Sequence, residues 1–176
     1  MQNETNNSIF PSSQTDVQPI QQVDEQAMKS TKEIFKKSFL KAIANWWYSI
    51  AGLSFVNTIL DLAKSGVTFP IGLSVNVVAA LIPYVLFPDN QMIYIVVSIV
   101  FTAITSGIFV LLGFLTSKGH IWATYIALGL YIVDTLLTIG IMIILGGDVW
   151  MLVNIGFHAY AIYRAVSLIL GLRKLK

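Results

Sequence analysis

The chain has 176 residues, 56% hydrophobic and 11% charged, with a mean hydropathy of +0.74 and a formal net charge of +2. That length suits one domain, and the composition departs from the soluble average in the direction of membrane spans. The absence of cysteine excludes disulfides, thiolate metal sites and thiol nucleophiles.

Residues 1–27 are rich in Gln, Asn, Ser, Thr and Asp. They carry too little apolar surface to offset the entropy of ordering, so a disordered spacer-like tail is expected. No cleavable signal peptide is expected, because the first apolar run begins only after some forty residues and the preceding segment opens acidic and amide-rich. The Met1-Gln2 start lacks the glycine needed for myristoylation, and no C-terminal prenylation box is present. The spans themselves are the expected anchor.

Residues 28–41 read MKSTKEIFKKSFLK. Ile34, Phe35, Phe39 and Leu40 share one side of a helix, with Lys32, Lys36 and Lys37 towards the other. This is a basic amphipathic juxtamembrane helix, suited to an anionic membrane surface or to orienting the first span as a basic flank.

From residue 42 onward the sequence predicts a transmembrane helical domain reaching residue 176. The first span, residues 42–62, opens with Trp46, Trp47 and Tyr48, aromatics that favour the headgroup level. Ser54, Asn57, Thr58 and Asp61 follow at helical spacing and give this helix one polar face, which in lipid turns towards protein. The second apolar run, residues 69–87, is short, holds Pro70 and Pro83, and has Asn76 at its middle. Three further spans are predicted at 92–115, 121–145 and 149–172, long enough for a hydrocarbon core of roughly 30 Å.

Charge placement bears on the second run. If all five runs cross, Lys118, Arg173, Lys174 and Lys176 fall on the opposite side from Lys29, Lys32, Lys36, Lys37 and Lys41, and no positive-inside bias results. If the second run is re-entrant or interfacial, both termini are cytoplasmic and only Lys64 lies outside. The charge rule favours this second arrangement. The expected fold is therefore an all-α integral membrane helical bundle of four transmembrane helices plus one re-entrant or interfacial helix; the alternative is five spans.

Asp134 and His158 each interrupt a long apolar run, and an intramembrane ionisable residue is a functional clue by default. Asp134 lies twelve residues before Gly146, and His158 eleven after Gly147, so antiparallel neighbours bring the two to one depth. Asn57 joins this layer in the four-span arrangement. Asp61, Tyr131 and Asn154 add polar groups nearby, while Arg164 sits closer to the C-terminal end, where its side chain can snorkel. The functional reading is a proton relay, or an ion or ligand site. The competing reading is a carboxyl–imidazole hydrogen bond that holds two helices together.

Metal chemistry has little basis, since His120 and His158 are the only histidines and no HExxH or clustered carboxylates accompany them. Gly52-Leu53-Ser54 and Gly72-Leu73-Ser74 lack the second glycine of GxSxG, and no P-loop or dinucleotide fingerprint is present. No enzyme activity, cofactor, metal or nucleic-acid partner is expected.

Several short motifs occur together: NWWYSIAGLSFVN at the first span, Gly113-Phe114 before Lys118, Trp122-Ala123 after it, then Leu130-Tyr131-Ile132-Val133-Asp134 and Phe157-His158-Ala159. Over residues 45–175 the chain thus resembles a loose group of small bacterial polytopic membrane proteins with GLSxxN, LYxxD and FHA segments. The group has no established activity, so the resemblance implies architecture only. Where its pattern has an acidic residue in the second run, Asn76 stands here. The expected role is a non-enzymatic membrane scaffold or accessory subunit in the bacterial cytoplasmic membrane, with the lipid bilayer, and a protein partner or second copy, as partners. The rival is a small transporter or ion-conducting unit using Asn57, Asp134 and His158.

Overall fold

A computed structural model describes residues 20–66, 69, 72–146 and 149–174; the expected tail before residue 20 lies outside them. The described chain contains five helices: α1 (Ile20–Leu62), α2 (Val75–Leu86), α3 (Gln91–Ser117), α4 (Ile121–Leu145) and α5 (Val149–Arg173).

At 43 residues α1 is roughly 65 Å long. The expected juxtamembrane helix and first span are thus one uninterrupted rod. It also takes in residues 20–27, which the sequence reading assigned to the disordered tail. That stretch is rich in Gln, Glu and Ala, all good helix formers, and Glu25 meets Lys29 one turn on at 2.8 Å, in the orientation that favours a helix.

Side-chain pairs fix how the helices run. Tyr94 near the start of α3 bonds Asp61 at the end of α1. Further along, Thr102 meets Thr58 at 2.8 Å, and Gly113 lies against Tyr48 and the Ala44 carbonyl. α1 and α3 are therefore antiparallel, with the end of one beside the start of the other. Thr116 and Thr124, 3.0 Å apart, join α3 to α4 across their turn. Asp134–His158 and Tyr125–Arg173 make α4 and α5 antiparallel in turn. The end of α1 and the start of α3 thus share one end of the bundle, and α2, only 12 residues long, lies between them in sequence.

The core is built around Trp47, which is fully buried and packs on Phe109 and Tyr131. Ala123, Ala127, Ala161 and Ala165, all buried, supply small surfaces that let helices approach closely. Outward faces are apolar: Ile143 and Ile144 are 76% and 81% exposed, and Val96, Val100, Ile104 and Leu111 line the outside of α3. Apolar surface this continuous belongs against lipid rather than water. Three described helices, α3, α4 and α5, contain segments long and apolar enough to cross a membrane, with mean hydropathies of 2.6, 2.1 and 1.4. The apolar part of α1 is not among them; Asn45, Ser54, Asn57 and Asp61 dilute it. The chain is an all-α protein with the build of a membrane helical bundle.

Candidate functional site

Helix α2 begins against the middle of α4 rather than at a bundle end. Ser74 occupies its N-cap position, yet the hydroxyl makes no capping bond and instead meets Thr138 Oγ1 at 2.5 Å. The cap comes from another helix. The Ser74 N–H donates to Asp134 Oδ2 at 3.0 Å, and the Val75 N–H donates to Oδ1 at 2.8 Å. A carboxylate at a helix N-terminus satisfies donors that have no intrahelical partner and complements the helix dipole. Both Asp134 oxygens are thereby engaged by the backbone of α2.

His158 completes the arrangement from α5. Its Nε2 lies 3.2 Å from Asp134 Oδ2, and its Nδ1 lies 3.0 Å from the Asn154 carbonyl. A carbonyl only accepts, so Nδ1 carries a hydrogen. The contact between Nε2 and Oδ2 joins the imidazole on α5 to the carboxyl group on α4. His158 is fully buried, and its ring stacks on Tyr131 with centroids 5.0 Å apart and planes within 5°.

The residues before α2 are held from α1. The Asn57 side chain donates to the Phe69 carbonyl at 2.9 Å and accepts the Phe69 N–H at 2.7 Å. Ser54 Oγ accepts the Leu73 N–H at 2.8 Å while donating to the Ile50 carbonyl at 2.7 Å. Gly72 passes so close that an added Cβ would stand 2.8 Å from Asn57 Nδ2. Non-helical backbone at membrane depth persists only where protein satisfies its polar groups, and Ser54, Asn57 and Asp134 do this at residues 69 and 73–75.

Of the sequence-derived residues, Asp134 and His158 meet directly, and Tyr131 and Asn154 contact His158 through a ring face and a backbone carbonyl. The Asn57 side chain bonds the backbone of Phe69. Asp61 accepts from Tyr94 near the end of the bundle. Arg164 is exposed on α5. The pairing of Ser74 with Thr138 is not among the sequence expectations; a serine just ahead of an apolar run is the signal the sequence offers for it.

Two different surroundings flank this layer. Towards the Lys118 end, Trp47, Phe109 and Tyr131 form a buried aromatic cluster with ring centroids 6.0–6.4 Å apart. Towards the Asp61 end lies an open cavity of about 440 Å³. Asp61 and Tyr94 lie along it, and Asn76, Ser98 and Asn154 line it too, each of these three with a buried polar atom that has no hydrogen-bond partner among the described residues. Among the described residues, no group of three His, Asp or Glu side chains is placed to hold a metal.

Comparison of the chain with protein-family models, curated proteins and solved structures gives no match. Its function is therefore read from its own geometry.

Proposed function

We propose that this chain is a non-enzymatic membrane scaffold or accessory subunit that crosses the bilayer four times and holds α2 as a re-entrant half-helix. One observation carries the reading: the Asp134 carboxylate, the most conspicuous polar group in the spans, has both oxygens committed to the backbone of α2. A group so occupied holds the fold. The rings of Trp47, Phe109 and Tyr131 pack together on the side of it towards the Lys118 end.

Charge placement supports the topology. Lys36, Lys37, Lys41, Lys118, Arg173 and Lys174 belong to one end of the bundle, while Lys64 shares the other with Asp61 and Asp89. The positive-inside rule puts the first end in the cytoplasm. We take the bacterial cytoplasmic membrane as the location because the sequence motifs resemble those of small bacterial membrane proteins.

A second reading, a small transporter, draws on the open cavity and the unpartnered atoms of Asn76, Ser98 and Asn154. Discontinuous helices that end at the midplane are a recurrent feature of transporters. Proteoliposomes carrying a pH-sensitive dye separate the two. A scaffold gives dye responses equal to empty liposomes under an imposed proton gradient. Proton flux that disappears in a folded Asp134→Asn variant would overturn the scaffold reading.

A further inference from the structure

A second cavity, of about 660 Å³, lies at the basic end between α1 and the α3–α4 turn. Lys36, Lys37 and Lys41 reach it from successive turns of α1, and Lys118 reaches it from a turn more than seventy residues later in sequence. Glu33 is the one acidic residue along it, so its lining carries a formal charge of +3. Among the described residues none of these four lysines has a carboxylate within ion-pair distance. Four cations against a single carboxylate leave an excess of positive charge, which an anionic occupant relieves.

Position narrows the occupant. Tyr48 lies against Gly113, one turn before the end of α3, so this stretch of α1 is level with the last turn of that span. Lys41 precedes Trp46 by five residues and Lys36 by ten, which at 1.5 Å per residue puts them roughly 7–15 Å further out. The lining also includes Leu40, Ala44 and Tyr48, which lead from the lysines towards the hydrocarbon. Asn45 and Ser117 add polar groups beside the lysines.

We propose that this cavity is a binding site for the phosphate-bearing headgroup of an anionic phospholipid, whose acyl chains continue along α1 into the bilayer. The site rests on the membrane reading above and adds a defined ligand class to it. It differs from diffuse attraction of a basic helix because it needs Lys118, which belongs to another part of the chain. Basic pockets between spans on the cytoplasmic side are suited to such headgroups.

The test uses the full chain, purified in a neutral detergent. Binding is measured by native mass spectrometry with phosphatidylglycerol, phosphatidylcholine and inorganic phosphate as separate probes. One variant combines Lys37→Gln, Lys41→Gln and Lys118→Gln. A control of equal charge loss combines Lys29→Gln, Lys32→Gln and Lys64→Gln. A nearby lysine contributes about fivefold to anionic-lipid binding, so the site variant should lose roughly 10- to 100-fold and the control little. Circular dichroism checks that each is folded, and a Lys→Arg version of the site variant should keep binding. Equal losses in site variant and control would overturn the proposal in favour of diffuse charge. Inorganic phosphate competing as well as the lipid would overturn it in favour of a free-anion site. Flotation with neutral phosphatidylcholine vesicles keeps the two readings apart: a chain that fails to float refutes the membrane reading itself, whereas one that floats without lipid preference refutes only the site.

Discussion

Asp134 caps a helix to which it does not belong: its carboxylate receives the Ser74 N–H at 3.0 Å, and the adjacent Val75 N–H at 2.8 Å, from a segment sixty residues earlier in the chain. The cap is what allows α2 to begin inside the bundle. Without it, two helix-start donors would face a low-dielectric interior, where an unsatisfied group costs most. The imidazole of His158 then steadies the carboxylate from the other side.

Substitution of Asp134 should accordingly be felt as a loss of fold. Asp134→Asn turns one acceptor into a donor that confronts a backbone N–H, at an expected cost of about 1–3 kcal/mol. Asp134→Ala orphans both donors and the imidazole, and should cost more, roughly 3–5 kcal/mol. Thermal denaturation in detergent of Asp134→Asn, His158→Ala and the double variant measures the coupling, expected at about 0.5–3 kcal/mol for residues in contact. Strict additivity would show that the two do not act as a unit.

Tyr131 offers a sharper distinction between structure and relay. Its hydroxyl is buried without a hydrogen-bond partner among the described residues, although its ring stacks on His158. Tyr131→Phe keeps the stack and removes the orphaned group, so apparent stability should hold or rise by about 1 kcal/mol. A proton relay that uses the hydroxyl predicts in addition lost flux in liposomes, whereas a structural role leaves no flux to lose.

The adjacency of Asp134 and His158 was legible in the sequence because a short turn between two helices sets their register and leaves little freedom. The charge pattern likewise indicated which termini belong together. The partner of Asp134 on α2 was not legible, because what it binds is backbone N–H, a group every residue but proline carries. Asn57 illustrates the same limit: its depth was readable, but its amide is matched to the peptide group of Phe69 rather than to another polar side chain. The continuity of α1 through residues 20–27 was missed because composition speaks to core burial, whereas a helix already started at its neighbour extends without a new nucleation cost.

Gly72 and Asn57 should be energetically coupled. In Gly72→Ala the new Cβ meets Asn57 Nδ2 at 2.8 Å, and that amide cannot withdraw without releasing Phe69. The substitution is expected to cost about 1–3 kcal/mol in the native protein, typical of overpacking. In an Asn57→Ala background the obstruction is gone and most of that cost should vanish. Melting temperatures of the four proteins test this, and an undiminished cost in the Asn57→Ala background would place the strain elsewhere.

The absence of native cysteine makes the path of residues 63–90 directly measurable. Lys64→Cys lies just after α1 and Asp89→Cys just before α3; both parent residues are exposed and belong to the end marked by the Asp61–Tyr94 bond. In sealed vesicles a membrane-impermeant maleimide should therefore label both from the same side, and Lys118→Cys only from the other. Labelling of Lys64→Cys and Asp89→Cys from opposite sides would mean that the second apolar run crosses the bilayer. The five-span alternative would then hold, and the Asp134 cap on α2 would have to be broken in the membrane. Matching sides, with Lys118→Cys opposite, would make α2 a half-helix whose one buried end depends on a carboxylate from α4.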